Sequence, residues 1–238
     1  MNTEKMEQEK DKLIPRFRDD VVVQDEDFLP VIISDVTAVN LKKGVVLPEY
    51  VNSFNFSKLS NRFNSLNLSL GVTSANRREG KTITATNMAV SLARGYKRST
   101  LLIDMNFRNP DLHNVFGVDK EPGLAEALEL KSIKISPTSI ENLYLLPTGN
   151  STLYKPGIEH TMVLRDVFSS LKREFDFVIV DMSAVHPVKD FPIHFINEID
   201  GLISVIDSGR TKKAEFNNIF RHIDEKRFVG YVFNRSEI

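Results

Sequence analysis

The sequence has neither cysteine nor tryptophan in its 238 residues. Without thiols there is no disulfide framework and no thiolate metal site. The five histidines are scattered without ligand spacing, which argues against zinc chemistry. Charge of one sign is not in excess either. The 31 lysines and arginines face 32 aspartates and glutamates, so no global field draws the chain to nucleic acid or to an anionic membrane. Apolar runs are only strand-sized, and the opening Met1-Asn2-Thr3-Glu4-Lys5 is too polar for a signal peptide. The expectation is a cytoplasmic chain with no nucleic-acid partner, one that reaches the inner face of a membrane only through another protein.

What is present suffices for one sizeable core: 41% of the residues are hydrophobic and 26% charged. Residues 1–60 differ from the remainder. They are charged at first, then carry short apolar stretches (Val21 to Val23, Val31 to Ile33), then run polar, and they read as a partly irregular arm before a single domain over 61–238. Phe56 to Asn67 has Ser57 as a candidate cap and Leu59, Phe63 and Leu66 at helical spacings, which suits either a helix packed on the core or an oligomerisation element.

From Leu66 onward strands alternate with helices, the pattern of an α/β protein with a mainly parallel sheet and helices on both faces. Strands are predicted over Leu66–Thr73, Thr100–Ile103, Leu143–Leu146, Phe175–Val180, Leu202–Ile206 and Val229–Phe233. Thr82–Arg94 and Glu159–Arg173 each carry an apolar stripe at helical period. Continuous apolar strands such as Phe177-Val178-Ile179-Val180 suit a sheet covered on both sides.

The sharpest chemical signal is Ala75-Asn76-Arg77-Arg78-Glu79-Gly80-Lys81-Thr82, which follows a predicted strand and opens a predicted helix. A phosphate-binding loop needs that context, because backbone N–H groups and the helix dipole converge there on an anion. Gly80 permits close backbone approach, Lys81 would reach the β- and γ-phosphates, and the Thr82 hydroxyl would ligate magnesium. Ala75 stands where the pattern usually has its first glycine. Asp104 and Asp181 end two predicted strands and would emerge at the carboxyl edge of the sheet beside the loop, able to hold magnesium. A dinucleotide-dependent oxidoreductase is excluded, since no Gly-x-Gly-x-x-Gly opens the first helix.

Those motifs, with Leu101-Leu102-Ile103-Asp104-Met105-Asn106-Phe107-Arg108-Asn109-Pro110, Asn142 to Gly149 and Val229-Gly230-Tyr231-Val232-Phe233-Asn234, resemble the bacterial tyrosine kinases of capsule and exopolysaccharide assembly, and more distantly the Min- and Par-type ATPases. The resemblance covers about residues 66–234. It implies a P-loop NTPase three-layer sandwich that binds ATP or ADP with Mg2+. Catalytic roles fall on Lys81, Asp104 and Asp181. Nucleotide contacts fall on Asn76, Arg77, Arg78, Glu79, Gly80, Lys81, Thr82 and Ile83, with Asn234 at the adenine, and metal contacts on Thr82, Asp104 and Asp181. It also implies a membrane polysaccharide co-polymerase-like partner and a possible homo-oligomer.

Three features depart from the family pattern. Arg77-Arg78 replaces the usual Pro-Gly, the second carboxylate of Asp-x-Asp is Asn106, and Ser183-Ala184 replaces the Pro-Pro that follows the third motif. An amide supplies no charge for magnesium and is no general base. Two readings therefore stand side by side: an ATP-dependent tyrosine kinase or ATPase, and a nucleotide-sensing regulator that has lost efficient phosphotransfer. The five tyrosines are spread along the chain, so phosphorylation of a terminal tyrosine cluster is not expected.

Overall fold

The computed structural model describes the backbone of residues 31–33 and residues 67–130, 132–150 and 160–235. Among them run the strands β1 (Val31–Ile33), β2 (Leu68–Ser74), β3 (Thr100–Met105), β4 (Ile133–Pro137), β5 (Leu143–Leu146), β6 (Phe177–Met182), β7 (Gly201–Asp207) and β8 (Phe228–Asn234). The helices are α1 (Lys81–Val90), α2 (Leu112–Phe116), α3 (Leu124–Leu130), α4 (Thr161–Glu174) and α5 (Lys213–Asn218). The strands form one sheet in the order β1-β4-β5-β3-β6-β2-β7-β8. All described pairings are parallel except β4 with β5.

Alternation along each strand divides the core in two. Leu101, Ile103, Val178 and Val180 pack on one face with α3, α4 and Phe195. Leu102, Phe177 and Ile179 face the other way, onto Ala85, Met88, Ala89 and Leu92 of α1 and its extension, and onto Leu112 and Phe116 of α2. Because helices cover both faces, the central strands have no polar alternation to display, and β2, β3 and β6 are buried along their whole length. This is the three-layer α/β sandwich that the strand and helix pattern predicts.

Several boundaries differ from expectation. Phe175 caps the end of α4 in extended conformation, so β6 starts two residues later and runs on through Asp181. The predicted helix Thr82–Arg94 begins at Lys81 and is α-helical only to Val90, and Ser91–Gly95 continues it as π-helix. β4, α2, α3 and α5 have no counterpart in the predicted elements. They are short, and a window of five to seven residues carries too little periodicity to register. Val31–Ile33, assigned to the arm, pairs with Ile133–Ile135 at the sheet edge. The predicted helix Phe56 to Asn67 lies outside the described residues except for Asn67. Among the described residues no helix is long and apolar enough to cross a membrane.

Candidate nucleotide-binding site

The carboxyl ends of β2, β3 and β6 meet where the phosphate loop leaves the sheet. After β2, the loop is stitched to the segment following β6: Val185 N–H donates to the Ser74 carbonyl (2.9 Å) and His186 N–H to that of Ala75 (3.0 Å). Gly80 ends the loop at φ 102°, a left-handed conformation that strains any residue with a Cβ. A Cβ there would also come within 2.3 Å of the Asn234 amide nitrogen. α1 then starts at Lys81 with no side-chain cap and no acidic residue in its first turn. Its first N–H groups and its dipole are thus left for an anion.

Lys81 is buried, and desolvation lowers its pKa against the opposing attraction of Asp181 and Glu79. Thr82 donates its hydroxyl to Asp181 Oδ2 at 2.7 Å. Asp181 sits beside Asp104 in register across β3 and β6. Its pKa is pushed up to about 8, by burial first and then by the like charge of Asp104. Its second oxygen, Oδ1, is buried with no hydrogen-bond partner. Asp104 is buried too, which raises its pKa to about 6 even though the N–H groups of Leu112, Asn106 and Asp111 all donate to its carboxylate.

This donor set fits a nucleotide with magnesium. An uncapped helix end with a lysine suits phosphate, and a hydroxyl beside an under-bonded carboxylate suits a hard cation that takes oxygen ligands. Thr82 and Asp181 are the residues so arranged. Asp104 beside them accepts one N–H at Oδ1 and two at Oδ2 from the turn leading into α2, which leaves Oδ1 a further acceptor site.

The remaining predicted residues have definite places. The Glu79 carboxylate accepts from Asn76 N–H (3.0 Å), from the Asn76 amide (3.2 Å) and from the Thr211 hydroxyl (2.6 Å). Asn234 donates its amide to the Glu79 carbonyl at 2.9 Å, so it braces the loop from the end of β8. Arg77 pairs with Asp190 at 2.5 Å, and Asp190 also takes Arg108 at 3.1 Å. Arg78 is exposed at φ 64°, and the Ile83 side chain projects from the first turn of α1, exposed. Asn106 Oδ1 accepts from the Ser183 hydroxyl at 3.1 Å, so two departures from the family pattern touch each other. Thr211, Glu215, Asp190 and the role of Ser183 escape sequence reasoning, because nothing in their local pattern marks them as neighbours of the loop.

A strand, a phosphate loop, an uncapped helix and two strand-end carboxylates on a mainly parallel sheet define a P-loop NTPase fold. No family model matches the chain. It is 34% identical over 176 residues to the tyrosine-protein kinase CpsD of Streptococcus pneumoniae, covering 71% of this chain and 76% of that protein. It is 27% identical over 179 residues to the succinoglycan biosynthesis transport protein ExoP of Rhizobium meliloti, 71% of this chain and 22% of that one. In structure it resembles the VpsO kinase domain (TM-score 0.67, 23% identity, 79% and 94% covered) and MinD of Pyrococcus horikoshii complexed with Mg-ADP (TM-score 0.56, 22% identity, 71% and 70% covered). The chain belongs to the bacterial tyrosine-kinase family.

Proposed function

We propose that the chain binds ATP and ADP with magnesium and uses them in tyrosine phosphorylation or ATP hydrolysis that regulates capsule or exopolysaccharide polymerisation and export. The observation that carries this reading is the contact of Thr82 with Asp181 beside Lys81, at the uncapped start of α1. Lys81 and the loop N–H groups bind and orient the phosphates, and Thr82 and Asp181 offer oxygens to the metal. Magnesium bound there would neutralise charge on the transferring phosphoryl group. A membrane polysaccharide co-polymerase-like protein is the expected partner, holding the chain at the inner face of the membrane, and homo-oligomers form there.

A second reading, a nucleotide-sensing regulator with weak phosphotransfer, has its own support. Asn106 supplies no carboxylate, and its carbonyl oxygen is engaged by Ser183. Calorimetry with ATP and ADP, with and without magnesium, tests the site. Phosphotyrosine formation by the purified chain separates the two readings. Binding without phosphotyrosine or turnover supports the regulator, and no binding at all overturns both.

A further inference from the structure

Arg78 holds a left-handed backbone at φ 64° and Gly80 at φ 102°. For a side chain as large as arginine's that conformation is strained, and it persists only where surrounding contacts over-determine it. The contacts converge on Glu79, which is buried between the two. Of its donors, Thr211 lies 132 residues away in the turn after β7.

Thr211 is fixed from both sides. Its N–H donates to the Asp207 carbonyl at 2.8 Å, and its hydroxyl oxygen accepts the Asp207 N–H at 3.0 Å. The hydroxyl proton is thereby directed onto Glu79. A parallel tie runs from the Asn76 amide to Glu215 in the first turn of α5, at 3.0 Å. Glu79 in turn presents its carbonyl to Asn234 at the end of β8. Both edges of the loop are therefore anchored to the β7–α5 turn and β8, on the opposite side from Asp104.

We propose that Thr211 is a positioning residue for phosphate binding, acting through Glu79 to hold residues 78–82 in the conformation that presents their N–H groups to an anion. This rests on the nucleotide-binding reading above. A carboxylate placed inside a phosphate loop repels the ligand unless donors hold it and balance its charge, and the Thr211 hydroxyl and Asn76 supply those donors. Glu79 also helps keep buried Lys81 protonated. Loss of the hydroxyl leaves the carboxylate held by Asn76 alone and lets the strained backbone at Arg78 relax.

The test compares Thr211→Val, which keeps the shape and removes the hydroxyl, with Thr211→Ser, which restores it. By calorimetry Thr211→Val should bind Mg-ADP ~10-fold more weakly, the usual size of one charge-assisted hydrogen bond, and Thr211→Ser should bind like the parent. In the ligand-free protein, amide hydrogen exchange should accelerate at Thr84, whose N–H donates to the Gly80 carbonyl, and at Asn76, whose N–H donates to Glu79, and stay unchanged in α4. Parent-like ADP binding by Thr211→Val overturns the proposal, as does equal acceleration in α4, which would make Thr211 a residue of general stability. A parent chain that fails to bind ADP refutes the nucleotide reading instead, and the exchange comparison then still tests the positioning role by itself.

Discussion

Asp104 and Asp181 stand directly opposite each other on the adjacent parallel strands β3 and β6, both buried. Two carboxylates so placed cannot both ionise cheaply, and each holds its proton to higher pH than an exposed aspartate. Phosphates and a cation arriving at the sheet edge would relieve that repulsion, which ties the stability of this region to its ligand.

The first prediction follows from the sign of that shift. With folded pKa values of about 6 and about 8 against an ordinary 3.8, the folded state binds more protons than the unfolded state over roughly pH 4 to 8. Stability of the ligand-free protein is therefore greatest at the acid end of the window and falls as pH rises through the folded values. Asp181→Asn should flatten this profile and raise the melting temperature at pH 8. Thermal melts across the window check it, and a parent whose stability rises steadily from pH 5 to 8 contradicts it.

Magnesium should behave in the opposite sense. A carboxylate must lose its proton to ligate a cation, so affinity for Mg-ADP should climb between pH 6 and 8. Calorimetry in buffers of different ionisation enthalpy should register proton release in the parent and markedly less in Asp181→Asn.

Lys81→Ala should weaken ATP binding by on the order of 10- to 100-fold, since it removes a charge-assisted contact to phosphate from a buried position. A variant that binds ATP as well as the parent does would show that the phosphates lie elsewhere.

Gly80→Ala places a methyl group 2.3 Å from the Asn234 amide nitrogen at a backbone angle of φ 102°. The strain costs on the order of 1–3 kcal/mol, and the loop can accept the methyl only by giving up the Asn234 bond to Glu79. Nucleotide binding should be lost while the far end of the sheet stays folded, as a titration paired with circular dichroism would reveal.

Asn106→Asp restores a carboxylate beside a hydroxyl already aimed at it, that of Ser183 at 3.1 Å. It should raise ATP turnover or phosphotyrosine formation above that of a slow parent, at some cost to ligand-free stability because a third acid joins Asp104 and Asp181. A parent that is already fast, with no gain in the variant, would show that the amide limits nothing.

The strand and helix alternation, the loop ending in Gly80-Lys81-Thr82 and the aspartates closing β3 and β6 were legible because each depends on local chemistry. A strand buried on both faces must be apolar throughout, and a phosphate loop needs its glycine and lysine at fixed spacing. The sequence therefore determined the α/β class and the chemistry of the loop between β2 and α1. Only the tertiary structure decided how the loop is held. The bonds of Glu79 to Thr211 and of Arg77 to Asp190 span 132 and 113 residues. Such pairings arise from how crossovers bring strand ends together, and no periodicity along the chain encodes which side chains then meet. For the same reason β4 and the helices of five to seven residues went unseen: neighbours, more than intrinsic preference, stabilise elements that short.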